Sequence, residues 1–337
     1  MQYGLGIPTC REGLAYPSGF ADLAAIAEIA REAERLGFDA LWGNDHLATQ
    51  RVVMDTLPQP PNFYEPLITL AFLAGQTSRI RLVVGTVVAP LRATVLLAKQ
   101  AATLDRASGG RLVLGIGIGA YREEFEAIAN PPPKANRGRW MEETVQALRL
   151  LFEERRASFN GRYVHFSEIE VYPKPVQQPL PLYLSGNSAD AVRRAGRLAD
   201  GLIVAGLSPE QAQEQAGLFR AAARAAGRDP TRLAVCAQVW VGIGETARDA
   251  RDTLERSQHF RRMTALSPDS DREDLVRAFT RGNLLGTADE VAARIAAYAA
   301  AGVDHLALIF LARDVDDLLR GARLFGREII GRNNVDG

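Results

Sequence analysis

Asp45-His46 closes the run Leu41-Trp42-Gly43-Asn44, and a second apolar run enters the glycines of Gly115-Ile116-Gly117-Ile118-Gly119. Histidine titrates near neutrality, so His46 is the leading proton handler, with Asp45 fixing its orientation or belonging to the pocket wall. The alternative is a hydrogen-bonded core histidine. Gly115, Gly117 and Ala120 have the GxGxxA spacing of a dinucleotide turn. Glu123 and Glu124 follow at once, however, and acids in the first helical turn oppose phosphates. A flat ring resting on glycine-bared backbone suits the run better, with a tight turn as the alternative.

Phosphate chemistry fits another segment. Ser185-Gly186-Asn187-Ser188 lies between an expected strand and helix, offering small hydroxyls and free helix N–H groups to an anion. Arg193 and Arg194 could supplement it, although an N-cap by Ser188 explains the same residues. Thr86 could bond a polar ring edge, beside a shelf of β-branched Val87 and Val88, unless these are plain barrel core. His165 falls in an aromatic stretch, His259 in a helical region, and His305 at a strand start, where a structural role is expected. There is no HExxH, no Cys/His cluster and no GxSxG, so no metal site and no covalent hydrolysis are expected. Trp42, Phe63, Tyr64, Tyr121, Trp140 and Trp240 are candidates for lining an apolar pocket, several of them being core.

The elements that must position these groups alternate. Strands are expected to begin near Tyr3, Ala40, Ile80, Leu112, Leu182, Gly201, Leu233 and His305. Helices are expected over 20–36, 67–74, 95–107, 137–152, 189–198, 210–226, 287–301 and 315–330, with Gly37 stopping the first. Eight such units predict a (β/α)8 TIM barrel, one domain over 1–337, with variable insertions at about 155–180 and 248–285. The first holds an irregular or hairpin-like stretch from Phe159 to Val171. The second is helical from Arg248 to Arg277 but broken at Ser267-Pro268-Asp269-Ser270, as a mobile cover would be. In a barrel the loops after the strands share one mouth, which brings Asp45 and His46 to the other strand ends.

Composition narrows the function. Forty Lys+Arg balance forty Asp+Glu, which leaves no net field for nucleic acid or an anionic membrane. Arg193, Arg194 and Arg197 read as a solvated helix face. Cys10 and Cys236 form no CxxC pair, no apolar run spans a bilayer and no leader is visible, so the cytoplasm is the expected compartment.

Several stretches together resemble the bacterial-luciferase-like family of flavin-dependent oxidoreductases, over nearly the whole chain. They are LGFDALWGNDHL (36–47), TSRIRLVVGTVVAP (77–90), AATLDRASGGRLVLGIGIGAYREEF (101–125), YPKPVQQPLPLYLSGNS (172–188) and RAGRLADG (194–201). The resemblance implies a flavin across the C-terminal mouth, either FMN or coenzyme F420. It puts the active-site histidine at His46, with Asp45 where luciferase proper has a second histidine, a departure that speaks against light emission. It implies a non-proline cis peptide at Val87-Val88 beneath the ring, Gly115, Gly117 and Gly119 along the cofactor, and Glu123 on the substrate side. Gly186, Asn187 and Ser188 would hold the flavin phosphate. The first activity implied is that of a luciferase-like monooxygenase, oxygenating a small organic substrate through reduced flavin with a flavin reductase or nicotinamide donor. The alternatives are an F420-dependent dehydrogenase or reductase transferring hydride, and a flavin binder without activity. A homodimer is also implied.

Overall fold

Leu82-Val83-Val84 and Leu112-Val113-Leu114 are apolar at every position, the pattern of strands covered on both faces. In the computed structural model, which describes residues 1–55, 57, 59–129 and 134–333, such runs form eight strands. They are β1 (Gln2–Gly6), β2 (Ala40–Gly43), β3 (Arg81–Val88), β4 (Leu112–Gly117), β5 (Leu182–Ser185), β6 (Gly201–Ala205), β7 (Ala234–Ile243) and β8 (His305–Phe310). All neighbours pair in parallel, in chain order from β1 to β8, and β8 returns to β1, so the sheet closes into a barrel. The expected TIM barrel is therefore present, strand for strand.

Closure divides the side chains into two sets. Leu41, Leu82, Val84, Leu112 and Leu114 point outward and pack under the helices. Ala40, Trp42, Val83, Val113, Tyr183, Ile203, Cys236 and Ala307 point inward and fill the barrel axis. Trp42 is the largest of these, and it lies directly against backbone. A Cβ at Gly4 would stand 2.0 Å from its Nε1, and one at Gly85 would stand 2.6 Å from its Cε3. Of the aromatic residues proposed for a pocket, Trp42 is thus a plug beneath the mouth.

The helices between strands are α1 (Leu23–Arg35), α2 (Arg51–Met54), α3 (Pro66–Ala74), α4 (Thr94–Ala107), α5 (Arg122–Ala129), α6 (Arg137–Glu153), α7 (Ala189–Leu198) and α8 (Pro209–Ala225). After β7 come α9 (Ala247–Arg256), α10 (Gln258–Leu266), α11 (Arg272–Arg281), α12 (Ala288–Ala300) and, after β8, α13 (Val315–Phe325). Their starts are set by side chains that answer free N–H groups: Asp22 caps α1, and Ser208, Thr246 and Thr287 form capping boxes with Gln211, Asp249 and Glu290. Gly37 follows α1 at φ +85°, as its stop position requires. The last helix runs on past Phe325, through a π turn at Gly326–Ile330.

Two stretches between the barrel units carry further elements. The first contains an antiparallel hairpin, Ala157–Asn160 with His165–Ile169. The second contains α9, α10 and α11, broken between Ser267 and Asp271, and ends in a short strand, Leu284–Gly286, on β7. From α10, His259 stacks on Trp240 of β7 at 3.9 Å, and Arg262 Nη2 reaches the Tyr121 hydroxyl after β4 at 3.4 Å. The helix therefore crosses the C-terminal mouth.

Candidate active site

Each residue of Trp42-Gly43-Asn44-Asp45-His46 after the plug has its own anchor. Asn44 donates from Nδ2 to the Cys10 carbonyl at 2.8 Å and from its backbone N–H to Thr9 Oγ1 at 3.0 Å, tying β2 to the loop after β1. The Cys10 thiol adds a bond to the Tyr64 carbonyl, and burial pushes its pKa up to about 12, so it acts as a donor and not as a nucleophile.

Asp45 is buried and takes Arg92 with both oxygens, from Nε at 3.0 Å and from Nη2 at 2.7 Å. Its Oδ2 also accepts the Val88 N–H at 2.9 Å, which fastens the end of β3. Arg92 Nη2 in turn meets Glu65, the N-cap of α3, at 2.7 Å. Burial disfavours the Arg92 charge, but Asp45 and Glu65 outweigh it and its pKa lies above the ordinary arginine value. Asp45 is therefore a positioning residue whose carboxylate is spent on Arg92 and Val88.

His46 Nδ1 stands 3.0 Å from Glu124 Oε2, with the Glu124 side chain 2% exposed. Glu124 Oε1 accepts the N–H groups of Leu47 and Ala48 at 2.7 and 3.3 Å. Burial raises the Glu124 pKa, but the bond and charge of His46 and these two N–H groups prevail and hold it below the usual carboxylate range. An ionised carboxylate only accepts, so Nδ1 carries the hydrogen. The rings of Phe63 and Tyr121 lie 5.9 and 5.6 Å from the imidazole.

Of the two neighbouring acids on α5, Glu123 was the one expected at the substrate side. Its carboxylate instead accepts the Arg51 N–H at 2.9 Å, with the side chain 41% exposed at the rim, while Glu124 turns to His46. Both are acids in one helical turn, and nothing in their types separates them. The orientation of α5 decides.

The glycine run leaves room for side chains of the neighbouring strands. A Cβ at Gly117 would lie 2.5 Å from Thr86 Oγ1 and 2.8 Å from Ser185 Oγ, so the two hydroxyls converge over it, and Gly119 packs against Val88 in the same way. The non-proline cis peptide is at Gly85-Thr86, not at Val87-Val88. The β3–β4 register shifts between Val84 and Val87, and Gly85, having no Cβ, is the residue pressed on Trp42. Val87 and Val88 keep ordinary pairing with Ile116 and Gly117.

Beyond Ser185, Gly186 turns the chain at φ +147°, Asn187 exchanges two bonds with Ala205 at the end of β6, and Ser188 caps α7 through the Ala191 N–H. This loop is held against β6 with the N-terminus of α7 behind it. Arg194 faces away and pairs with Glu142 of α6, as does Arg197, while Arg193 pairs with Asp190. The arginines therefore do not supplement the loop. Trp140 stacks on Tyr163 and meets the Phe125 ring edge-on, and Tyr183 and His305 meet within the barrel at 6.4 Å. Among the described residues no three His, Cys, Asp or Glu side chains are grouped to hold a metal, and no helix is long and apolar enough to cross a membrane.

Polar groups gathered at the C-terminal mouth of a closed parallel barrel are the arrangement of a barrel enzyme. The chain belongs to the luciferase-like monooxygenase family, whose model matches residues 1–305. It is a flavin-dependent oxidoreductase with a flavin or deazaflavin cofactor. It is 32% identical over 179 residues to the F420-dependent glucose-6-phosphate dehydrogenase of Kineococcus radiotolerans, a match spanning 53% of this chain and 51%, about half, of that protein. Similarity to the FMNH2-dependent dimethylsulfone monooxygenase of Pseudomonas putida is 28% over 315 residues, 86% of this chain and 84% of that one. Among solved structures, the monooxygenase RslO1 of Streptomyces bottropensis superposes with a TM-score of 0.81 at 23% identity, over 99% of this chain and 100% of that one. An F420-dependent secondary alcohol dehydrogenase does so with 0.78 at 21%, over 98% and 99%. These two likenesses concern the fold.

Proposed function

We propose that this enzyme transfers hydride between coenzyme F420 and a small organic alcohol or carbonyl compound, with His46 as the proton partner. The observation that carries this reading is the His46–Glu124 pair. Oxidising an alcohol removes a hydride from carbon and a proton from oxygen, and reduction returns both, so the reaction needs a fixed base beside the ring. Glu124 fixes the tautomer and orientation of His46, and Nε2 takes or gives the substrate proton. The cofactor, when bound, supplies the two-electron centre that takes or gives the hydride.

The residues present fit such a group. Thr86 and Ser185 bring hydroxyls together over Gly117 for the edge of a flat ring, and Val88, packed over Gly119, forms a shelf with Val87. Gly186, Asn187 and Ser188 would hold the phosphate end, at the start of α7. Asp45 maintains the wall through Val88 and Arg92, and Glu123 shapes the rim. The F420-dependent relative at 32% identity supports this choice.

The second reading is oxygenation through reduced FMN, favoured by the nearly full-length match to the Pseudomonas monooxygenase. It requires an external reductase or nicotinamide donor. Separate titrations with FMN and F420, followed by hydride-transfer and oxygen-uptake assays, decide between them. Binding and turnover with F420 support the first, and oxygen-consuming turnover with reduced FMN alone overturns it.

We also infer a homodimer through α3 and α4. Every residue of Pro66–Ala74 is apolar or threonine, yet Ile68 and Phe72 are 63% and 42% exposed, next to Leu96 at 57%. Sedimentation should give a dimer for the wild type and a monomer for Ile68→Asp/Phe72→Asp. A monomeric wild type would reject the interface.

A further inference from the structure

Among the described residues, Arg11 and Arg262 near the mouth have no carboxylate partner. Arg11, in the loop after β1, is 7% exposed, its Nε has no hydrogen-bond partner, and the groups acting on its charge are Tyr16 and Cys10. Arg262 of α10 is half-buried; its Nε is buried with no hydrogen-bond partner among the described residues, and its Nη2 reaches the Tyr121 hydroxyl at 3.4 Å. A guanidinium nitrogen buried without a partner is costly, and a cationic side chain without a carboxylate of its own can take an anion from outside.

Arg262 lines a cavity of about 660 Å³ between α10, the loop after β1 and the segment after His46. Its other walls include Arg261, Val53, Leu57, Pro17 and Gln59, and no described lining residue is acidic. The size suits a small molecule. The cavity adjoins the site already described, because the Tyr121 ring that Arg262 touches lies 5.6 Å from the His46 ring. The other large cavity, about 760 Å³ between α9 and α13, is different: Arg313 and Arg320 pair there with Asp317, and Arg327 with Glu245. It neutralises itself and asks nothing of a ligand.

We propose that the cavity under α10 receives the substrate as an organic anion, its apolar body against Val53 and Leu57 and its carboxylate, sulfonate or phosphate group on Arg262. The proposal deepens the reading of the mouth as a hydride-transfer site and rests on it for the word substrate. Arg11, in the same loop as Gly13 of the cavity wall, adds to the positive charge of Arg261 and Arg262 on this side.

Binding to the cofactor-free protein tests the anion site apart from the redox chemistry. Octanoate, octane-1-sulfonate and octyl phosphate serve as probes, with octan-1-ol as the neutral control. The anions should bind and octan-1-ol should bind at least roughly tenfold more weakly, the scale of one charge-assisted bond. Among the three anions, the tightest names the head group. Arg262→Gln should remove that preference. Gln59→Glu, an exposed change that faces the cavity with a carboxylate, should weaken the anions and spare the alcohol, and it stands as the test if Arg262→Gln fails to fold. Equal binding of alcohol and anions, or anion binding unchanged in the folded variants, overturns the proposal. F420-linked turnover of a neutral substrate alongside that result would leave the proposed function standing. Anion binding without any F420 or FMN turnover would retain the site and reject the reaction.

Discussion

The end of β2 and the helix across the mouth each bring a histidine toward the same opening, and their surroundings give the two rings opposite characters. His46 has Nδ1 bonded to a buried carboxylate, and its neighbours Asn44 and Asp45 are pinned to the β1 loop, β3 and Arg92. His259 has a buried Nδ1 with no partner and lies flat on Trp240. Burial first, and the nearby Arg262 charge second, push its pKa down to about 4. A carboxylate fixes the Nδ1–H of one imidazole, whereas apolar packing keeps the other neutral. The first region is fixed by bonds that span the chain, and the second leaves polar atoms open, as a surface that meets varied ligands would.

The largest effect on this contrast should come from Glu124→Gln. Losing the ionised acceptor should lower turnover on the order of a hundred-fold and change the pH dependence of turnover, which a purely structural role would leave in place. Stability provides a second readout with a definite sign. The Glu124 pKa lies below the ordinary value of 4.5, so its contribution is full above about 4.5 and disappears as pH falls through the lowered value. The variant should lack this acid limb, and an identical limb in both proteins would count against the pair.

A smaller effect is expected at the cover. The His259 pKa falls from 6.5 to about 4 on burial, so neutral stacking contributes fully above about 6.5 and fades as pH drops through about 4. Hydrogen exchange over residues 258–266, corrected for intrinsic rates, should therefore quicken a few-fold between pH 7 and 5 while residues 44–48 stay protected. His259→Phe should abolish that response. Equal response of both segments would erase the distinction between them.

Much of this organisation was legible in the chain because parallel barrel strands, buried on both faces, advertise themselves as apolar runs such as 82–84 and 112–114. His46 and the glycine run stand at the ends of such stretches and could be placed at the mouth for that reason. What escaped reading depends on closure. The bonds from His46 to Glu124 and from Asp45 to Arg92 cross 78 and 47 residues, and no local pattern distinguishes Glu124 from Glu123. Likewise, Arg194 turned to Glu142 because α6 packs beside α7. Some stretches that carry the family resemblance have structural work to do: Asp105 binds the N–H groups of Val176 and Gln177, and Asp200 holds Leu182, Arg149 and Arg228. They mark the fold more than the reaction.

Single-turnover hydride transfer with bound F420, followed across pH 5 to 9 in the wild type and His46→Gln, tests the central claim most directly. With the substrate and cofactor affinities measured alongside, the wild-type rate should change with pH through one ionisation. The variant should bind both ligands, lose that ionisation and transfer hydride on the order of 10² to 10⁴ times more slowly. Equal rates with the same pH dependence in both proteins would contradict the assignment of His46 as the proton partner.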